Sequence, residues 1–376
     1  MARSDTLLIV ADSERDADML YATGFFSTDP FVYLRIDGQA RVYLQDAELD
    51  RARRQVVGCE VGALSEHHPG CDDDRRPAHF AAVIRAVLKR TGRRRVTVPA
   101  SFPAGMSREL RRLNLKVKVA KGAVFPAREI KTSAEVKKIS AALTMAEVGL
   151  SEGIEALRRA QIGRDRSLHL LHSPLTSERL RGIIESAVAH AGGTAVRTFV
   201  SCGRQSGHPL ERGSGPLKAG EPIILDVFPR SQKTGYHADL ARTVVKGRAS
   251  EAVRRLFDTV KTGQKLALGL LRDGVLAAGI HRAVADYFVR EGFETGVRRG
   301  RFEGFFHPTG HGLGLELHEQ PNLSESSRHI VRAGQVLAVE PGLYYPGVGG
   351  VRLEDVVLVE AGRCRNLTKF EKELEV

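Results

Sequence analysis

The chain has no long apolar run. Its most hydrophobic N-terminal stretch, LLIVA at 7–11, is much shorter than a signal-peptide core or a membrane span and is followed by the charged DSERDAD. The expectation is a cytoplasmic protein with no membrane partner. Cysteine is scarce: Cys59, Cys71, Cys202 and Cys364 lie far apart with no CxxC pair, which excludes cysteine-based zinc and dithiol redox sites and predicts free thiols rather than disulfides. Internal repeats, low-complexity segments and the HExxH signature of helical zinc sites are also missing. Positive charge is in excess, at +12, but it is not concentrated. Residues 1–130 hold 22 Lys and Arg against 17 Asp and Glu, and the rest hold 35 against 28. The densest run, KRTGRRR at 89–95, follows a helix-like segment and reads as a solvated loop whose cations complement the helix C-terminus. No motif supports nucleic acid as a partner.

What is present is an ordinary globular composition, 42% hydrophobic and 27% charged, over 376 residues. That length predicts two domains, because single cores rarely grow beyond roughly 250–300 residues. Residues 5–60 alternate short apolar runs with turn signals: TLLIVA, FVYLRIDGQARVYLQ and QVVGCEV. Asp37-Gly38 between two β-rich runs predicts a hairpin. A helix over 79–90, the strand RRVTVP, a helix from Met106 to Leu113 and the strand LKVKVA complete a small α/β domain.

A new domain opens with one long helix. Thr132 and Glu135 have capping-box spacing, and Val136, Ile139, Leu143, Ala146, Leu150, Ile154 and Leu157 recur at steps of three and four. Gly149 and Gly153 weaken that helix by up to about 1 kcal/mol each, which marks close packing. The chain then reads as a helix (178–191), the strand AVRTFVS, the strands PIILDVF and ARTVVKG, helices over 251–272 and 275–291, and a long hairpin. Its arms are GQVLAVE and GVRLEDVVLVE, with the turn-rich PGLYYPGVG between them.

Carboxylates inside apolar strands are the residues that folding explains least. Asp226 ends PIILDVF, Asp239 precedes LARTVV, Glu340 closes VLAVE and Glu354 interrupts VRLEDVVLV. Burying such groups without counter-ions costs several kcal/mol each or forces protonation. Two divalent cations would balance four carboxylates charge for charge. Between them in the chain lies HPTGHGLGLELHEQP at 307–321, with His307, His311 and His318 among glycines that allow close approach. Oxygen-rich coordination with one imidazole suits Mn, Fe, Co or Zn in a paired site. In that reading His311 supplies the nitrogen ligand, while His307 and His318 flank the ions as polar groups for a substrate.

The ordered segments VSCGRQSGHPL, ILDVFPRSQKTGYHADLARTVV, HPTGHGLGLELHEQP, VLAVEPGLYYP and GVRLEDVVLV resemble the pita-bread metallopeptidases, which include aminopeptidase P, prolidase and methionine aminopeptidase. The likeness covers nearly the whole chain. It implies a mixed α/β (α+β) fold: a small creatinase-like α/β domain over residues 1–128, and a pita-bread domain over 129–376 whose curved antiparallel sheet is flanked by helices.

The resemblance further implies that Asp226, Asp239, His311, Glu340 and Glu354 are metal ligands, with Asp239 and Glu354 bridging. His208 matches the family's histidine facing the substrate, His307 and His318 those at the scissile carbonyl and bound peptide. Arg352 matches its arginine, and Tyr344 the tyrosine after the EPG turn. The implied activity is hydrolysis of Xaa-Pro bonds in dipeptides or at peptide N-termini by a metal-bridged hydroxide, with Glu340 handling the proton. Two divalent ions are implied, Mn²⁺ foremost, with Co²⁺, Zn²⁺ or Fe²⁺ as alternatives. The partners implied are peptides with proline second and a further copy of the chain, in a homodimer or higher homo-oligomer. Two departures stand out: Asp226 and Asp239 are thirteen apart where the family has eleven, and Ala241 stands where threonine is frequent. They imply a longer hairpin turn and the loss of a hydroxyl that would support the ligands. A metal-free creatinase-like hydrolase and a noncatalytic binding protein share the fold, but both would be expected to lack ligands that this chain retains.

Overall fold

The computed structural model describes residues 6–67, 76–298 and 300–376, so Cys71 falls outside the described residues. Contacts divide the chain into two units, 1–128 and 129–376.

The N-terminal unit is built on β1 (Leu7–Ala11), α1 (Ala17–Thr23), β2 (Phe31–Ile36), β3 (Gln39–Leu44), α2 (Leu49–Gln55), β4 (Glu60–Ala63), α3 (Pro77–Arg90), β5 (Arg95–Val98), α4 (Ala104–Arg112) and β6 (Lys116–Val119). The sheet order is β4-β3-β2-β1-β5-β6. Strand alternation sends Leu8, Val10, Val96 and Val98 to one face, against Phe80, Ile84, Leu88 and Leu110 of α3 and α4. Leu7 and Ile9 point the other way, toward Met19 and Ala52 of α1 and α2. Asp37 and Gly38, at φ 51° and 85°, make the two-residue turn that joins β2 to β3. The run QVVGCEV is not one strand: Gln55 ends α2, Gly58 turns at φ 72°, and β4 begins only at Glu60.

The C-terminal unit opens with α5 (Ser133–Arg159). Thr132 Oγ1 accepts the Glu135 N–H at 3.3 Å, and the Glu135 carboxylate accepts the Thr132 N–H at 2.8 Å. α6 (Ser177–His190) lies so close that a Cβ on Gly149 or Gly153 would stand 2.7 Å or 2.8 Å from side-chain carbons of Val188 and Ile184 respectively. Three strands follow as one antiparallel sheet in the order β7 (Phe199–Cys202), β8 (Pro222–Val227), β9 (Leu240–Val245). The predicted strand AVRTFVS is split, because Gly193–Ala195 pairs with Pro229–Ser231 whereas β7 pairs with β8. The chain changes partner across Val196, which is 55% exposed.

Beyond α7 (Glu251–Leu270) and α8 (Ala277–Arg290) come β10 (Gly310–Gly312), β11 (Glu319–Asn322), β12 (Val336–Val339), β13 (Gly342–Tyr345), β14 (Gly349–Arg352), β15 (Asp355–Val359) and β16 (Cys364–Asn366). They form a five-stranded sheet in the order β11-β10-β12-β15-β16, plus the pair β13–β14. The predicted long hairpin is therefore two hairpin segments in series. Pairing runs from Val336↔Leu358 to Val339↔Asp355, stops, and resumes at Gly342↔Arg352. The break falls at 340–341 opposite 353–354, and the turn-rich PGLYYPGVG supplies strands of its own. Leu256, Phe257, Val260, Ile280, Val284 and Phe288 of α7 and α8 share one core with Leu337, Val339, Leu353 and Val357. One face of this curved sheet is thus committed to helices, which leaves its polar residues to the other. No helix among the described residues is long and apolar enough to cross a membrane.

Candidate metal centre and active site

Each acid singled out in the sequence sits at the end of a strand or at a break between strands. Asp226 lies in β8 opposite Ala241 of β9. Asp239 immediately precedes β9, Glu340 follows β12, and Glu354 stands in the gap between β14 and β15. Glu340 is held by its own N–H, which donates to the Thr309 carbonyl at 2.8 Å, and Glu354 by its N–H to the Ala241 carbonyl at 3.1 Å. The pairing break is what turns both glutamate side chains off the regular sheet.

His311 occupies the centre of β10. A Cβ on Gly310 would lie 2.0 Å from the Ala338 carbonyl oxygen, and one on Gly312 2.2 Å from that of Gln320, so only glycine lets this short strand pass between its neighbours. The His311 Nδ1–H donates to the Gly312 carbonyl at 3.0 Å. Burial lowers the pKa of the ring, keeping it neutral, so Nε2 carries the lone pair. That nitrogen faces Asp239 Oδ2 and Glu340 Oε1, each at 3.6 Å. Donor atoms of Asp239, His311 and Glu354 all lie within 4.8 Å of one another.

The electrostatics are those of a cation site. Burial, then the charges of Asp226 and Glu340, push the Asp239 carboxyl well above its usual range. Burial, then Asp239, Glu340 and Asp226, do the same to Glu354. Glu340 is also raised, mainly by burial. Arg352 donates to Asp226 Oδ2 and is the one cation paired directly with these acids among the described residues. Asp226 Oδ1 and Glu354 Oε1 are buried with no hydrogen-bond partner. Orphaned carboxylate oxygens beside a lone-pair imidazole nitrogen fit divalent cations.

Around this cluster, Arg352 Nη1 donates to the Tyr344 hydroxyl at 3.0 Å. His307 Nδ1–H donates to the Pro308 carbonyl at 2.8 Å, so His307 Nε2 accepts the Tyr344 O–H at 3.0 Å. His318 stands edge-on to His311, with ring centroids 4.4 Å apart at 86°. His208 is not brought into the cluster in the same way. Its ring is exposed and accepts the Leu210 N–H at 3.3 Å, and only its neighbour reaches inward, through the Pro209 carbonyl bonded to Arg352 Nη1 at 3.1 Å.

Sequence reasoning missed two residues that hold the site. Gln264 of α7 is buried, and its amide donates to the carbonyls of Val339 and Leu353 at 2.9 Å and 3.0 Å. These are the residues just before Glu340 and Glu354, at the margin of the break in pairing. Arg242 in β9 is buried and donates to Asp355 at 2.9 Å, and also to the Glu354 carbonyl. Its signal was available: a cation inside the apolar run ARTVV is as anomalous as the acids.

Residues 138–361 match metallopeptidase family M24. Among curated relatives, an Xaa-Pro dipeptidase of Pyrococcus horikoshii is 27% identical over 279 residues, 74% of each chain. One of Pyrococcus furiosus is 29% identical over 248 residues, 66% of this chain and 65% of that one. Among solved structures, an Xaa-Pro dipeptidase from Bacillus anthracis superposes with a TM-score of 0.83 at 23% identity, covering 99% of this chain and 95% of that one.

Proposed function

Since the chain belongs to metallopeptidase family M24, we propose that it hydrolyses the bond preceding proline in Xaa-Pro dipeptides or at the N-terminus of Xaa-Pro peptides. We assign two divalent cations, Mn²⁺ foremost, to Asp226, Asp239, His311, Glu340 and Glu354. The observation that carries the metal assignment is the set of buried donors with nothing to bond: Asp226 Oδ1, Glu354 Oε1 and the lone pair of His311. Asp239 and Glu354, whose donor atoms lie within 4.8 Å of each other and of His311, are the pair suited to be shared by two ions. The name Xaa-Pro dipeptidase carried by the relatives supports proline in the second position.

When bound, the cations supply Lewis acidity and lower the pKa of water to about 7, which makes a nucleophile available at neutral pH. The chain's own residues do the rest. Glu340 is the least enclosed of the four acids, at 20% exposure against 11% or less, and burial raises its pKa. It is therefore suited to take a proton from the attacking water and deliver it to the departing proline nitrogen. His318 makes no hydrogen bond among the described residues, so its ring is available to donate to the oxygen of the scissile carbonyl as charge develops there. His307 has both nitrogens engaged and acts by fixing Tyr344, which with Arg352 forms a rigid polar wall for the peptide. His208 meets the proline ring from the solvent side, with its backbone tethered to Arg352 through Pro209.

The test is turnover of Gly-Pro and Gly-Pro-Ala with added Mn²⁺ or Co²⁺. The expected result is cleavage before proline that chelation abolishes. Equal turnover of Gly-Ala peptides would remove the proline assignment and leave the metal assignment standing.

A further inference from the structure

Glu319 directly follows His318, and its carboxylate lies inside the turn that carries that histidine. Its Oε1 accepts the Glu316 N–H at 3.1 Å, and its Oε2 accepts from Lys131 Nζ at 2.8 Å. A Cβ on Gly314 would stand 2.7 Å from Glu319 Oε2, so a larger residue at 314 would displace the carboxylate from its place in the turn. The Gly314 carbonyl accepts the His237 N–H at 2.8 Å from the far side. Lys131 is fixed in turn, because its N–H donates to the Gly334 carbonyl at 2.8 Å and the capping box of α5 begins at the next residue. The Lys131 and Glu319 side chains are 2% and 7% exposed.

A buried Lys–Glu pair adds little to stability compared with an apolar pair of the same volume, because desolvation offsets most of the attraction. Folding alone therefore does not account for two charges withdrawn from water here. What they hold is specific: the His318 ring has no hydrogen bond of its own among the described residues, so its orientation depends on edge contact with His311 and on the backbone of this turn. We propose that Lys131 and Glu319 form a positioning pair for His318, locking the 313–319 turn from a segment far away in sequence. The proposal rests on the substrate role assigned to His318.

The test is a double-mutant cycle. Lys131→Met combined with Glu319→Gln removes both charges of the pair together and keeps an acceptor for the Glu316 N–H, so the fold should persist even if either single variant is unstable. The expected outcome is metal content equal to wild type and kcat/KM lower by about tenfold or more, falling mainly in kcat. In a His318→Ala background the same pair of changes should lower kcat/KM by less than about twofold, because the group it positions is gone. Rates are read on both Gly-Pro and Gly-Ala, so that a wrong proline assignment changes the substrate but not the cycle. An equal loss in both backgrounds, a loss of metal, or wild-type rates in the intact background would overturn the positioning role alone. If His318→Ala itself leaves kcat/KM unchanged, the assigned role of His318 fails first and the pair has nothing to position.

Discussion

Glu354 and Asp355 are adjacent acids, 1% and 0% exposed, yet they meet opposite fates. Glu354 keeps an oxygen, Oε1, with no hydrogen-bond partner, whereas Asp355 accepts from Arg242 at 2.9 Å, Asn366 at 2.9 Å and Lys372 at 2.5 Å. Strand alternation accounts for the division even though regular pairing stops at Leu353, because successive side chains still leave opposite sides of the chain. Identical chemistry thus serves two functions according to the supply of donors. Glu354→Gln should lose at least one cation and essentially all activity. Asp355→Asn should stay metal-loaded but lose about 3 kcal/mol of stability or more, since it leaves Arg242 buried without its counter-charge. Metal analysis and thermal denaturation of the two variants separate these outcomes. Loss of metal from Asp355→Asn with retention in Glu354→Gln would invert the assignment of the strand faces.

The break in the hairpin is the feature of element scale that makes the site. A ladder continued through 340–341 and 353–354 would keep both glutamates in register. The ladder instead ends at Val339↔Asp355, and α7 reaches across with a single amide that bonds the carbonyls of both Val339 and Leu353. Gln264→Leu preserves bulk but removes both amide hydrogen bonds to these buried carbonyls, each worth about 1 kcal/mol. Because those carbonyls precede both glutamates, cation affinity should fall about 10-fold or more, as read by competition with a chromogenic chelator. Unchanged affinity alongside a lowered Tm would reduce Gln264 to an ordinary core hydrogen bond. This is also where legibility in the sequence runs out. The α5 capping box, the Asp37-Gly38 turn and the close-packing glycines Gly149 and Gly153 were readable because each is a local rule. The acids were readable as polar residues in apolar strands. The break was not, since VRLEDVVLV alternates smoothly through Glu354 and the group that permits the interruption lies on a helix some 75 residues before Val339. Nor were α1 and α2, short helices whose apolar residues are too few to show a period.

At the scale of the whole C-terminal unit, residues from Asp226 to Glu354 converge on one buried cluster whose acids repel each other. Under the proposed metal assignment, folding and cation binding are one equilibrium, and pH enters through the same carboxylates. Burial and mutual repulsion raise the carboxyl pKa values of Asp239, Glu340 and Glu354 in the folded state. Without cations, the folded chain binds these protons more tightly than the unfolded chain does. The site's contribution to stability is then favourable below the unfolded carboxyl values, about 4, and declines as pH climbs from there through the raised folded values. Cations reverse this by replacing the protons, and proton competition weakens as pH rises. At a hundredfold excess over Kd, binding stabilises by about 2.7 kcal/mol. The Tm of Mn²⁺-loaded protein should therefore exceed that of chelated protein by several degrees at pH 8, and the gap should shrink as the pH is lowered to 5.5. The narrowing should come partly from a rise in the chelated protein's own stability relative to a Glu354→Gln, Asp239→Asn control, in which two of the titrating groups are gone. A gap independent of pH, with control and parent chelated proteins behaving alike, would mean that the acids are balanced by something other than a bound cation, and the coupling of fold to metal would have to be abandoned.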